Sequence, residues 1–201
     1  MSGSDPRAGK ALVVVDVQRD FCPGGALPAP DGDRIVPALN RYLRDARRGG
    51  LLVYATRDWH PLVTNHFKAY GGEWPPHCVQ NTEGAQFHPR LDLPSDAIVI
   101  NKGDDPDRPG YSAFDGHTID GKSFLRDVRE RAVGHLFVAG IATDYCVKET
   151  VLDARDAGLH VTVLTDAIAG IDRQPGDAKR ALGAMSSAGA RLADELGLDR
   201  S

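Results

Sequence analysis

The chain has 201 residues, 41% hydrophobic and 26% charged, with a formal net charge of −4. That length suits one domain with a sizeable core, read here as residues 1–201 with 1–9 as a flexible tail, and the small negative charge gives no electrostatic footprint for nucleic acid. No apolar run approaches the ~20 residues that span a bilayer, MSGSDPRAGK is too polar for a signal peptide, and three cysteines with no CxxC pair argue against a disulfide framework or zinc ribbon and for the reducing cytoplasm.

The run ALVVVD reads as a strand buried on both faces and ends on Asp16. From Asp33 to Arg48 the residues Ile35, Leu39, Leu43 and Ala46 share a helical face, with Asp33 as the expected N-cap and Gly49 as the stop. The basic cluster RYLRDARRGG is then a solvated helix end. LLVYATRD is a second strand, ending on Asp58, and AIVINK a third, ending on Lys102. Between them, Pro61 to Arg90 is rich in Gly, Pro, His and Trp without periodicity, and loops of that length in a single domain are usually functional. Leu125, Val128 and Ala132 predict a helix before Gly134, HLFVAGI a strand, and Val147, Val151 and Ala154 a helix before Gly158. HVTVLTDA adds a strand and DAKRALGAMSSA a last helix. Alternation of this kind predicts a three-layer α/β/α sandwich with a mainly parallel central sheet, whose ligands bind outside the carboxyl ends of the strands.

Asp16, Lys102 and Cys146 are therefore expected to converge on one cleft. With Thr143 as N-cap, Cys146 falls in the first turn of a helix, where the dipole and free N–H groups lower a thiol pKa and can hold an oxyanion; the alternative is an inert core cysteine. Asp16, desolvated at a strand mouth, suits general base work, or else simply caps the following turn. Lys102 is read either as a partner for that charge or as a surface lysine. Asp58, His60 and His77 form a ligand set for zinc, iron or manganese, with His66 either a further ligand or a surface residue. Phe21 and Trp74 flank the expected cleft, to sandwich a flat ring or to fill core. His88, His117, His135 and His160 have no comparable grouping.

The segments VVVDVQRDFCPGGAL, TRDWHP, WPPHCVQNTEGAQFHP, VINKG, YSAFDG and VAGIATDYCVKETVLDA occur in that order. Together, over residues 10–172, they closely resemble the nicotinamidase/pyrazinamidase branch of the isochorismatase-like cysteine hydrolases. The resemblance implies the isochorismatase-like hydrolase fold and a triad of Asp16, Lys102 and Cys146. It also implies one divalent metal ion on Asp58, His60 and His77, with His66 as the fourth ligand of some members. A cis peptide between Ile141 and Ala142 is implied as well, with the N–H groups of Ala142 and Cys146 as oxyanion hole. The implied activity is hydrolysis of nicotinamide to nicotinate and ammonia through a cysteine thioester, in pyridine nucleotide salvage, with pyrazinamide as a second substrate. Arg19 stands where many relatives carry Asn, and LVTNHF departs from the usual loop around the fourth ligand. The expected partner is a small carboxamide, with no nucleic acid and no membrane; a homo-oligomer stays open. The alternatives are another isochorismatase-like or N-carbamoyl hydrolase and a non-catalytic metal-binding regulator.

Overall fold

The computed structural model describes residues 9–197. The tail expected over 1–9 lies outside the described residues except for Gly9, which already belongs to the first strand. A seven-stranded sheet is built from β1 (Gly9–Val15), β2 (Leu52–Asp58), β3 (Ile98–Lys102), β4 (His117–Thr118), β5 (Val133–Ile141), β6 (His160–Ala169) and β7 (Arg191–Ala193) in the order β4-β3-β2-β1-β5-β6-β7. Every pair is parallel except β3 with β4. Helix α1 (Val36–Arg48) follows β1, α2 (Phe124–Glu130) precedes β5, and α3 (Lys148–Asp156) and α4 (Asp177–Ser187) follow β5 and β6.

Alternation along β1 shows why both faces must be covered. Leu12 and Val14 pack with Leu39 and Leu43 of α1, whereas Ala11, Val13 and Val15 pack with Phe124, Val128, Val151 and Met185 from α2, α3 and α4. All five strand residues are fully buried, so a continuous apolar run rather than an alternating one is what this position in the sheet requires. Gly140 of β5 pairs with Val15 of β1: its φ is +125°, and a Cβ there would sit 2.1 Å from the Val15 carbonyl oxygen.

Several boundaries differ from expectation. Asp33 does not cap α1 but sits in a single 3-10 turn, Gly32–Ile35; the helix proper starts after Ile35, set by Pro37, whose fixed φ suits a first turn. Gly49 is at the helix end with φ −83°, and the left-handed reversal falls on Gly50 (φ +66°). Ala132 lies beyond α2 with φ +53°. Strands β4 and β7 are additions to the predicted elements, because two and three residues carry no periodicity to read. The Pro61–Arg90 segment is, as expected, a long loop with one short 3-10 turn, Lys68–Tyr70. No helix among the described residues is long and apolar enough to cross a membrane.

Strand order reverses at β1, where the chain runs outward through β2 and β3 on one side and through β5 and β6 on the other. Clefts in parallel sheets open at such a reversal. Asp16 follows β1, Asp58 ends β2, Lys102 ends β3, and Cys146 follows β5.

Candidate active site

Lys102 is the hub. Its side chain is fully buried, and its Nζ lies 2.7 Å from Asp16 Oδ2 and 3.4 Å from Cys146 Sγ, and bonds Asp58 Oδ1. The surface reading of Lys102 is thereby excluded: a desolvated ammonium persists only with anions around it. Asp16 is fully buried and holds its place through Thr56, whose Oγ1 donates to Asp16 Oδ1 at 2.6 Å and accepts from the Asp16 N–H at 3.2 Å. Asp16 takes φ +47°, a left-handed conformation that Asp tolerates better than most residues. Its Oδ2 lies 2.7 Å from the Lys102 ammonium, and a carboxylate oxygen so paired keeps a further lone pair that can accept a proton. Burial, opposed by Lys102, raises its pKa to about 6.

Cys146 sits in one π turn, Thr143–Val147, that runs straight into α3. The N-cap is Ala142, not Thr143, and the Val147 N–H reaches back to the Ala142 carbonyl at 3.0 Å. The Ile141–Ala142 peptide is cis. A carboxylate oxygen from each of Asp16 and Asp58 lies within 4.8 Å of Cys146 Sγ. The expectation of a thiol pKa lowered by the helix start fails: burial pushes it well above 9, Lys102 opposes that, and the two carboxylates add to the rise.

Beside Asp16, Lys102 and Cys146, the ring nitrogens of His60, His66 and His77 offer ligand atoms within 4.8 Å of one another. His60 Nδ1 lies 2.7 Å from the Gly103 carbonyl and His77 Nδ1 2.8 Å from the Pro75 carbonyl. An Nδ1–H donor in each case directs the Nε2 lone pair inward, and these two Nε2 atoms lie 3.5 and 3.8 Å from Asp58 Oδ2. His60 Nε2 is buried without a hydrogen-bond partner, an arrangement that a protein keeps when another electron-pair acceptor completes it. The donor set therefore fits a divalent ion. His66, left open by spacing, is brought in by tertiary structure, its ring stacked on His60 at 4.6 Å. Burial lowers the pKa of His66 to about 3 and lowers that of His77 as well, which favours the neutral form of both rings. Burial pushes Asp58 upward, but Lys102 and the histidines outweigh it and hold the carboxyl well below its usual range.

Phe21 and Trp74 are both buried and flank His77, with ring centroids 5.4 and 6.4 Å away. Several residues that build the site escape sequence reasoning. Gln18 clamps the Asp58 backbone, donating to its carbonyl and accepting from its N–H, both at 2.8 Å. Gly103 (φ +68°) is needed because a Cβ there would lie 2.5 Å from His60 Cε1. Tyr111 accepts from Trp74 Nε1 at 2.9 Å. The VVVDVQ and VINKG strings contain Gln18 and Gly103, but only contacts across the sheet reveal their work. Cys22 and Cys78 are buried free thiols with raised pKa values, set mainly by burial. His88, His117, His135 and His160 stand outside the histidine cluster.

Fold and site together define an α/β protein of the hydrolase type, with a buried cysteine, lysine and carboxylate cluster beside three histidines at the reversal of a doubly wound parallel sheet. A family model described as the isochorismatase domain matches residues 10–195. The nicotinamidase of Escherichia coli is 43% identical over 199 residues, covering 91% of this chain and 93% of that protein. The nicotinamidase/pyrazinamidase of Mycobacterium tuberculosis is 42% identical over 165 residues, covering 81% of this chain and 87% of that protein. Among solved structures, the pyrazinamidase of Pyrococcus horikoshii in complex with zinc superposes with a TM-score of 0.85 at 46% identity, covering 92% of this chain and 99% of that chain. The chain belongs to the isochorismatase family.

Proposed function

We propose that this protein is a nicotinamidase that also accepts pyrazinamide, with Cys146, Asp16 and Lys102 as its catalytic residues. The observation that carries the reading is the Lys102 ammonium, shared between Asp16 and Cys146 on one side and Asp58 on the other, which ties a nucleophile to a metal-ligand cluster within one buried network.

Cys146 Sγ attacks the carboxamide carbon as its proton passes to Asp16, whose acceptor oxygen and raised pKa suit a group that takes and returns a proton near neutrality. Lys102 keeps Asp16 ionised in the resting enzyme and offsets charge growing on sulfur. The N–H groups of Ala142 and Cys146 hold the oxyanion of the tetrahedral intermediate. Asp16 then protonates the departing nitrogen, releasing ammonia and leaving a thioester. Water, giving a proton to Asp16, cleaves the thioester to the carboxylate and restores the thiol. Asp58, His60, His66 and His77 would hold one divalent ion, zinc, iron or manganese, which supplies a Lewis-acid anchor for the ring nitrogen of the substrate. Phe21 and Trp74 bracket that ring and orient the amide toward Cys146. Three free cysteines fit a reducing cytoplasm.

The test is ammonia release from nicotinamide and pyrazinamide by the purified protein and by Cys146→Ala. The parent is expected to hydrolyse both. The variant is expected to lose at least about a thousandfold in turnover while staying folded, because a Cys side chain leaves little cavity. Near-normal turnover in the variant would end the covalent mechanism; an inactive parent with its metal bound would end the substrate assignment.

A further inference from the structure

Cys146 is 5% exposed and Asp16 and Lys102 not at all. Tyr111 and Tyr145 pack against the apolar cluster that contains Cys146, and Trp74 packs on both tyrosines, so that three rings make an aromatic cover. Trp74 Nε1 donates to the Tyr111 hydroxyl at 2.9 Å, Trp74 meets Tyr145 edge to face at 5.0 Å, and the two tyrosine rings lie 5.8 Å apart. These residues come from three separate stretches of chain: the long loop after β2, the segment after β3, and the π turn that carries Cys146.

A fourth stretch spans them. Asp144, buried in the same π turn, accepts the backbone N–H groups of Ile171 and Asp172 at 2.9 and 2.8 Å. That anchor fixes the root of the loop between β6 and α4 two residues from the nucleophile. From this root Arg173 reaches over the Trp74 ring, its Cζ 4.9 Å from the centroid, and its Nη1 donates to Glu73 Oε2 at 3.0 Å. The root is doubly bonded to a buried carboxylate, with Ile171 half-buried and Asp172 exposed. The tip is wet: the Arg173 and Glu73 side chains are 46% and 74% exposed. A surface hollow of about 350 Å³ adjoins the indole, lined by His66, Tyr70, Glu73, Trp74 and Tyr111. A firm root, a weak tip and space beside the gripped ring are the parts of a latch.

We propose that Arg173 is a positioning residue that holds Trp74 and the aromatic cover closed over Cys146, so that residues 171–173 form a strap that releases to admit a carboxamide and to let a carboxylate leave. The identity of those molecules rests on the function proposed above; the closure does not. Each exposed contact of Arg173, one cation–π and one ion pair, is worth a factor of about two to five, so together they bias the cover toward closure by about tenfold.

Alkylation of Cys146 by iodoacetamide, followed by mass spectrometry of its peptide, reads the open population without using the enzyme reaction. Arg173→Ala should accelerate it by about tenfold, Glu73→Gln by about two- to threefold, and Arg173→Lys by less than the alanine variant, since lysine keeps the charge over the ring. Salt at ~1 M should speed the parent and leave Arg173→Ala unmoved. Cys78, fully buried behind His60 and His77, must stay unreacted throughout. An Arg173→Ala rate within twofold of the parent, or Cys78 reacting in step with Cys146, would overturn the strap. A parent inactive on nicotinamide whose Arg173→Ala variant still alkylates faster would keep the strap and remove the substrate, and a parent active on nicotinamide with unaltered alkylation in the variant would remove the strap alone.

Discussion

Replacing Lys102 by Met keeps the length of the side chain and deletes the cation that Asp16, Asp58 and Cys146 share. All three neighbours are buried, so nothing from solvent replaces it. Breaking a buried ion pair from one side costs roughly 3–5 kcal/mol, because a charge stays behind without a partner; for a chain of this size that lowers the melting temperature by roughly 6–20 °C. The pH dependence gives the sharper test. Asp16, raised in the fold from 3.8 to about 6, contributes stability that is fully present below pH 3.8 and is lost as pH rises through about 6. Asp58, lowered in the fold mainly by Lys102 acting against burial, contributes stability present above pH 3.8 and lost as pH falls further. Without Lys102 both carboxyls are pushed upward by burial, so both penalise the fold as they ionise. The deficit of Lys102→Met against the parent should therefore be largest near pH 8 and smallest near pH 4. Urea unfolding of chelator-treated parent and variant at the two pH values measures it, and amide turnover should fall at least about a hundredfold in the same variant. A deficit under about 1 kcal/mol at pH 8, or one equal at both pH values, would refute the argument that Lys102 is the charge on which the network depends.

Further outcomes follow from the same geometry. The acid limb of kcat/KM should fall with a midpoint near 6, as Asp16 gains a proton and can no longer accept one from Cys146; Asp16→Asn should lose most activity at every pH while retaining bound metal, and loss of metal in proportion to activity would make Asp16 a ligand instead. Chelation should cripple turnover of nicotinamide and pyrazinamide far more than that of benzamide, which lacks a ring nitrogen, and His66→Ala should weaken metal retention by about tenfold or more; an equal fall for all three amides would remove the ring-anchoring role, and unaltered metal retention in His66→Ala would remove His66 from the ligand set.

The layers of the fold are legible in the sequence because burial on two faces leaves a plain mark, an unbroken apolar run such as ALVVVD or HLFVAGI. Asp16, Asp58, Lys102 and Cys146 stand out because each lies at or just past the end of such a run, and parallel strands bring those ends to one side. What sequence does not decide are quantities that depend on neighbours distant in the chain. Lys102 is as fit for the surface as for the site until β2 and β3 align it with Asp58, and nothing in the sequence keeps His66 off the surface until the long loop buries its ring against His60. The thiol of Cys146 is misread for the same reason: a helix start argues for a lowered pKa, but the burial and the two carboxylates that outweigh it come from the packed structure. Local pattern determines which residues form a strand, a turn or a cap. Charge balance in a buried site is a sum over contacts from β1, β2, β3 and the turn after β5, and only the tertiary structure performs that sum.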